Sequence, residues 1–153
     1  MKKGLLALSA IVAFVVPATT QARDTQHFYD FHLVVEEALA DGALDGTVKF
    51  YLMGEKIPGK VTQTFPEAVS DRKTGKKGTT GAGKDGDQAR CDWALRAALL
   101  SFQDNAKKNG ANAVIDLVSY YKEVEYQDVS KYECHAGKFM VGAALKGKAA
   151  IVR

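Results

Sequence analysis

The sequence predicts an α+β domain: a small mixed or antiparallel sheet packed by one long and one short helix. Three observations carry this expectation. Cys91, Ala94, Leu95, Ala98, Leu99, Phe102 and Ala106 keep the 3–4 spacing of one helical face, while Asp92, Arg96, Gln103 and Lys107 fall opposite them. Residues 113–121, AVIDLVSYY, form a mostly apolar run of strand length. From Phe139 onward, positions 139, 141, 143, 145, 149 and 151 are apolar, and Lys138, Lys146 and Lys148 stand between them, the period of a strand.

In chain order, residues 23–29 read as an irregular lead-in. Phe31, Val34, Val35, Ala38 and Leu39 fall at helical spacing and predict a short helix ending near Gly42. Thr47 to Met53, TVKFYLM, is rich in β-branched and aromatic residues and predicts a strand. Apolar content then collapses from about Gly54 to Asp87, which predicts a long loop with a flexible Gly/Lys-rich part over about 67–87. The long helix is expected from about Gln88 to Asn109, with Asp87 as its N-cap and Gly110 as the residue after its end. Tyr132 to Ala136 reads either as a short strand of its own or as the start of the last strand, which is expected to bend at Gly147. Strand 47–53, helix 88–109 and strand 113–121 make a strand–helix–strand unit, to which the last strands can add as antiparallel neighbours.

The first 22 residues have a different character. Lys2 and Lys3 precede an apolar run from Gly4 to Val16, Pro17 breaks it, and Thr20-Gln21-Ala22 carries small residues where a secretory signal is cut. The run is about 13 residues, short of the roughly 20 that a membrane span needs. A signal peptide over 1–22 is therefore expected, followed by one domain over 23–153 in the periplasm or outside the cell, with no membrane anchor in its mature form. Without the two N-terminal lysines the chain carries 19 basic and 18 acidic residues, a balance of +1 that argues against nucleic acid as a partner. Two cysteines remain, Cys91 and Cys134, and in an oxidising compartment such a pair reads first as a disulfide.

The stretches KKNGANAVIDLVSYYK, YECHAG and GAALKGKAAIV, spanning about residues 88–152, resemble a group of small exported proteobacterial proteins labelled "excinuclease ATPase subunit". GANAVIDL resembles, more distantly, a turn of the YbjQ-like domains described as heavy-metal-binding and of the Rcs envelope-stress sensor lipoprotein. The resemblance implies a compact α+β domain, able to oligomerise through sheet edges, and the sensor's use of disulfides agrees with Cys91 and Cys134. No lipid-bearing cysteine is present near the cut. The resemblance implies no catalytic residue at that turn.

Several motifs need their context weighed. Gly78 to Asp85, GTTGAGKD, comes within one residue of a phosphate-binding loop, but the charged stretch before it is no buried strand and Asp85 replaces the hydroxyl. His27, His32, Cys134 and His135 lack the spacing of a zinc site, so neither metal nor another cofactor is expected. Ser101, Ser119 and Ser130 have no nucleophile-elbow context, and no catalytic constellation stands out. Asp116 interrupts an apolar strand, and with Tyr120 and His135 it forms the candidate ligand-binding set. Tyr120, Tyr121, Tyr126 and Tyr132 with Lys122 could form an aromatic patch, against the simpler reading of cross-strand packing. The expectation is a non-enzymatic periplasmic domain that binds an envelope protein or polymer in a stress-related interaction. The alternative is a metal- or small-ligand-binding module, and a nucleotide-binding protein comes third.

Overall fold

The computed structural model describes residues 22–75 and 86–153. The apolar N-terminal run and the GTTGAGKD stretch lie outside the described residues. Among the described residues, two helices and seven strands follow one another as β1 (Asp24–Asp30), α1 (Phe31–Ala40), β2 (Lys49–Leu52), β3 (Val61–Gly75), α2 (Gly86–Lys108), β4 (Ala113–Tyr121), β5 (Val124–Tyr126), β6 (Lys131–Gly137) and β7 (Met140–Val152). The α+β class holds, and the sheet is mixed: β2 pairs β4 in parallel and every other pairing is antiparallel.

β7 is the spine of the sheet. β3 runs along it from Gly75↔Met140 to Val61↔Val152. Because a strand has only two edges, β6 and β4 share the other one: β6 pairs residues 141–142 and β4 pairs residues 145–150. β1 then extends the sheet beyond β6 over seven paired residues, from Asp24↔Gly137 to Asp30↔Lys131. The backbone N–H of Glu133 donates to the Ser119 hydroxyl at 2.8 Å, tying β6 to β4 where they meet.

α1 starts because the Asp30 carboxylate accepts from the Leu33 N–H at 2.9 Å. α2 ends where the sequence indicates: Gly110 is left-handed (φ 68°), and the N–H groups of Gly110 and Ala111 bond Lys107 and Ala106 carbonyls. Both helices pack on one face of the sheet. There Phe31, Val34, Leu95, Leu99 and Phe102 meet Leu117, Tyr132, Val141 and Leu145 in the main core. A smaller cluster of Ala113, Ile115 and Ala150 forms the second, with Tyr51, Ile57, Val61 and Val152 against it.

Several expectations are corrected. The lead-in at 23–29 is strand β1 from Asp24 onward, and residues 61–75 of the expected loop are the 15-residue strand β3. Both strands take their hydrogen bonds from a neighbour's backbone, so neither needs an apolar pattern of its own. Pro66 is accommodated where β3 shifts register between Thr64 and Glu67, two residues standing opposite one of β7. β6 is a strand distinct from β7, and the unforeseen β5 follows a two-residue turn in which Lys122 and Glu123 both have positive φ (51° and 64°). Asp87 lies inside the first turn of α2 rather than before it. On α2, Asp92 and Gln103 are buried, not solvated: Asp92 meets Tyr132, and the Gln103 amide oxygen accepts from the Asp45 N–H at 3.1 Å.

β7 runs as one strand through Gly147. Asp116 and Leu117 of β4 stand opposite this single residue as a bulge, with Asp116 at φ 54°. A Cβ on Gly147 would come within 2.7 Å of Leu117 Cδ2 and 3.1 Å of the Ile115 carbonyl, so the bulge needs glycine opposite it.

Candidate functional site

Four strand ends converge at one end of the sheet. The start of β1, the end of β6, the start of β7 and the end of β3 are joined there by the pairs Asp24↔Gly137 and Gly75↔Met140. They bound a cleft of about 260 Å³, to which Arg23, Asp24, Lys73, Tyr121, His135 and Met140 contribute, together with the bare backbone of Gly137 and Gly142.

His135 organises this end. On β6, alternation turns Cys134 and Ala136 into the main core and leaves Glu133 and His135 on the other side. The imidazole stacks on the Tyr121 ring with centroids 3.7 Å apart and planes 9° from parallel. Nδ1 lies 2.9 Å from Asp24 Oδ1 and Nε2 lies 2.6 Å from Glu133 Oε1. Ionised carboxylates only accept, so both contacts are satisfied when each ring nitrogen carries a proton. The chain of contacts extends at both ends, from Lys122 Nζ to Asp24 Oδ2 at 3.2 Å and from Gln26 Nε2 to Glu133 Oε1 at 2.7 Å.

These contacts set the local electrostatics. The hydrogen bond from His135 first, joined by that from Lys122, holds the Asp24 carboxyl below its ordinary value against the opposing effect of burial. Lys122 is raised in turn, chiefly by its bond to Asp24. Nearby, Arg23 and Arg90 both bond the Asp87 carboxylate, and His27 Nε2 lies 3.3 Å from it. Burial pushes Asp87 up, but the two guanidinium bonds outweigh it and leave the carboxyl below its usual value.

Of the three candidate ligand-binding residues, only His135 lines the cleft. Tyr120 lies instead under the Lys146 ammonium, 4.7 Å from ring centroid to Nζ, and Lys146 also bonds Glu125. Asp116 sits in the β4 bulge, 3.7 Å from Lys148. The structure therefore does not gather Asp116, Tyr120 and His135 into one site, and the residue that joins His135 is Tyr121. The aromatic patch divides likewise: Tyr132 is wholly buried, and Tyr126 packs against Phe28 at 4.6 Å. Glu133 was legible in principle, because the pair Glu133/His135 two apart on a strand shares a face. Arg23, Asp24 and Lys73 carry no such signal.

Cys91 and Cys134 form a disulfide, S–S 2.06 Å, linking α2 to β6 with both residues wholly buried. The third histidine, His32, lies 2.9 Å from Glu55. Among the described residues, no group of three or more His, Cys, Asp or Glu side chains is placed to hold a metal ion. No helix among them is long and apolar enough to cross a membrane. Compared with protein-family models, curated proteins and solved structures, the chain matches none of them.

Proposed function

We propose that this chain is an exported, disulfide-stabilised domain that works by binding, and that its working part is the cleft beside His135. In this reading the scaffold is a sheet packed by one long and one short helix, and residues 1–22 are removed on export. The observation that carries the binding role is the double engagement of His135. With Asp24 and Glu133 on its two nitrogens and Tyr121 over its face, the imidazole is engaged on both nitrogens within the protein itself. It shapes a wall. The cleft beside it is small, concave and partly apolar, as ligand sites are.

The buried Cys91–Cys134 bridge is compatible with an oxidising, extracytoplasmic compartment. It agrees with the resemblance to small exported proteobacterial proteins and with a role in envelope interaction or stress response.

Two measurements test the proposal. Thiol counting under denaturing conditions, on protein recovered from the periplasm, should find no free thiol; two free thiols would remove the compartment argument. Amide chemical shifts of Gly137 and Gly142 should respond saturably to at least one class of small molecule, and a panel spanning anions, neutral compounds and cations that leaves them unmoved would remove the cleft.

A further inference from the structure

We infer that the cleft beside His135 accepts a small organic anion with an apolar body the size of one ring or a short chain. This deepens the binding proposal and rests on it. The first argument is charge. Among the described residues, the cleft is lined by the cations Arg23 and Lys73 against a single acid, Asp24. That acid is already committed, with Oδ1 to His135 Nδ1 at 2.9 Å and Oδ2 to Lys122 Nζ at 3.2 Å. The acids that neutralise the two cations, Asp87 for Arg23 and Asp71 for Lys73, are not part of the lining. Lys73 lies 3.6 Å from Asp71 with both side chains about half exposed, a contact weak enough to be exchanged for an entering anion.

The remaining lining is apolar or bare. Tyr121 and Met140 present carbon, and Gly137 and Gly142 present backbone. Gly142 keeps space open: a Cβ there would lie 3.4 Å from Lys73 Cγ and 3.7 Å from Tyr121 Cε2, ordinary contact distances, so a larger side chain would fit the strand and fill the cleft. A volume of about 260 Å³ sits just below the range of about 300–1,000 Å³ for drug-sized ligands, which suits one ring. The ligand's charge would meet Lys73 and Arg23 while its body lies against Tyr121 and Met140.

The test is a ¹⁵N chemical-shift titration of the exported chain, residues 23–153, with benzoate, phenyl phosphate, benzamide, benzylamine and inorganic phosphate. Benzoate and phenyl phosphate should shift the Gly137 and Gly142 amides saturably, with a Kd on the order of 1 mM or tighter. Lys73→Ala should weaken benzoate about fivefold or more. Gly142→Leu should abolish the response of the Gly137 amide while leaving the Trp93 indole signal, outside the cleft lining, where it was. Benzamide or benzylamine binding as tightly as benzoate would overturn the anion class and leave the cleft reading standing. Inorganic phosphate binding as tightly as phenyl phosphate would overturn the apolar body. An unchanged benzoate affinity in Lys73→Ala would overturn the inference even if Gly142→Leu failed to fold. If no probe moves the two glycine amides, the inference and the binding proposal fall together.

Discussion

The Tyr132 hydroxyl donates to Asp92 Oδ1 at 2.6 Å, one residue along α2 from Cys91 and two along β6 from Cys134. Helix and strand are thus joined twice within one turn, once covalently and once by a buried hydrogen bond. Burial first, and the Asp92 carboxylate second, push the phenol far above its ordinary value, so it remains the donor throughout the accessible pH range. Tyr132→Phe leaves a buried carboxylate one donor short and should cost about 1–3 kcal/mol, read as a lower urea midpoint. Asp92→Asn keeps an acceptor opposite the hydroxyl and should lose less.

Reduction of the bridge should be slow in the folded protein and costly at equilibrium. Both sulfur-bearing residues are wholly buried, so a soluble thiol reaches them only after opening. The bridge spans 43 residues, and the chain-entropy model assigns such a loop about 4 kcal/mol. Urea unfolding of the Cys91→Ser/Cys134→Ser variant should show a loss of that order. A loss below about 1 kcal/mol would show that the Tyr132–Asp92 bond and the apolar core hold α2 to β6 without it.

Gly147→Ala should destabilise by about 1–3 kcal/mol, because the new methyl would overlap the fully buried Leu117. In a Leu117→Ala background the overlapping atom is gone, and the same substitution should cost much less. The difference between the two costs is the coupling between bulge and glycine, measured by a double-mutant cycle.

Relief of backbone strain should separate the structural role of Asp116 from a binding one. Asp116→Gly removes a left-handed non-glycine residue and only a partly exposed contact to Lys148, so stability should hold or rise by up to about 1 kcal/mol. Asp116→Val should lose stability at the same position, since a β-branched side chain resists positive φ. Neither variant should alter benzoate binding in the shift titration, because Asp116 does not line the cleft.

Asp128 should make stability acid-sensitive in a defined window. Its carboxyl is held at about 2, against an ordinary 3.8, first by the backbone N–H of Ser130, then by that of Lys131 and by the Ser130 hydroxyl. The folded state therefore binds this proton less readily than the unfolded chain. The stabilisation is complete above about pH 4 and is lost as pH falls through about 2. Urea midpoints of the native protein and Asp128→Asn should differ most near neutrality and converge towards about pH 2; a constant gap would sink the assignment.

The sequence by itself determined the elements whose pattern is set by their own burial. The stripe from Cys91 to Ala106 is the buried face of α2, the run 113–121 is β4, and Gly110 ends the helix, because each follows from the periodicity or the φ requirement of the residues concerned. The α+β class was legible for the same reason, and the Cys91–Cys134 pair because the chain has just two cysteines behind an export-like N-terminus. Only the tertiary structure decided β1 and β3, because an edge strand such as DTQHFYD takes its order from a neighbour's backbone and can be polar throughout. The cleft belongs to this second kind. Asp24 and His135 are 111 residues apart and meet only when β1 pairs with β6, and Lys73 joins them only because β3 runs along β7. Local pattern records which side of an element is buried; it does not record which distant strand lies beside it. For that reason the residue beside His135 is Tyr121 and not Tyr120.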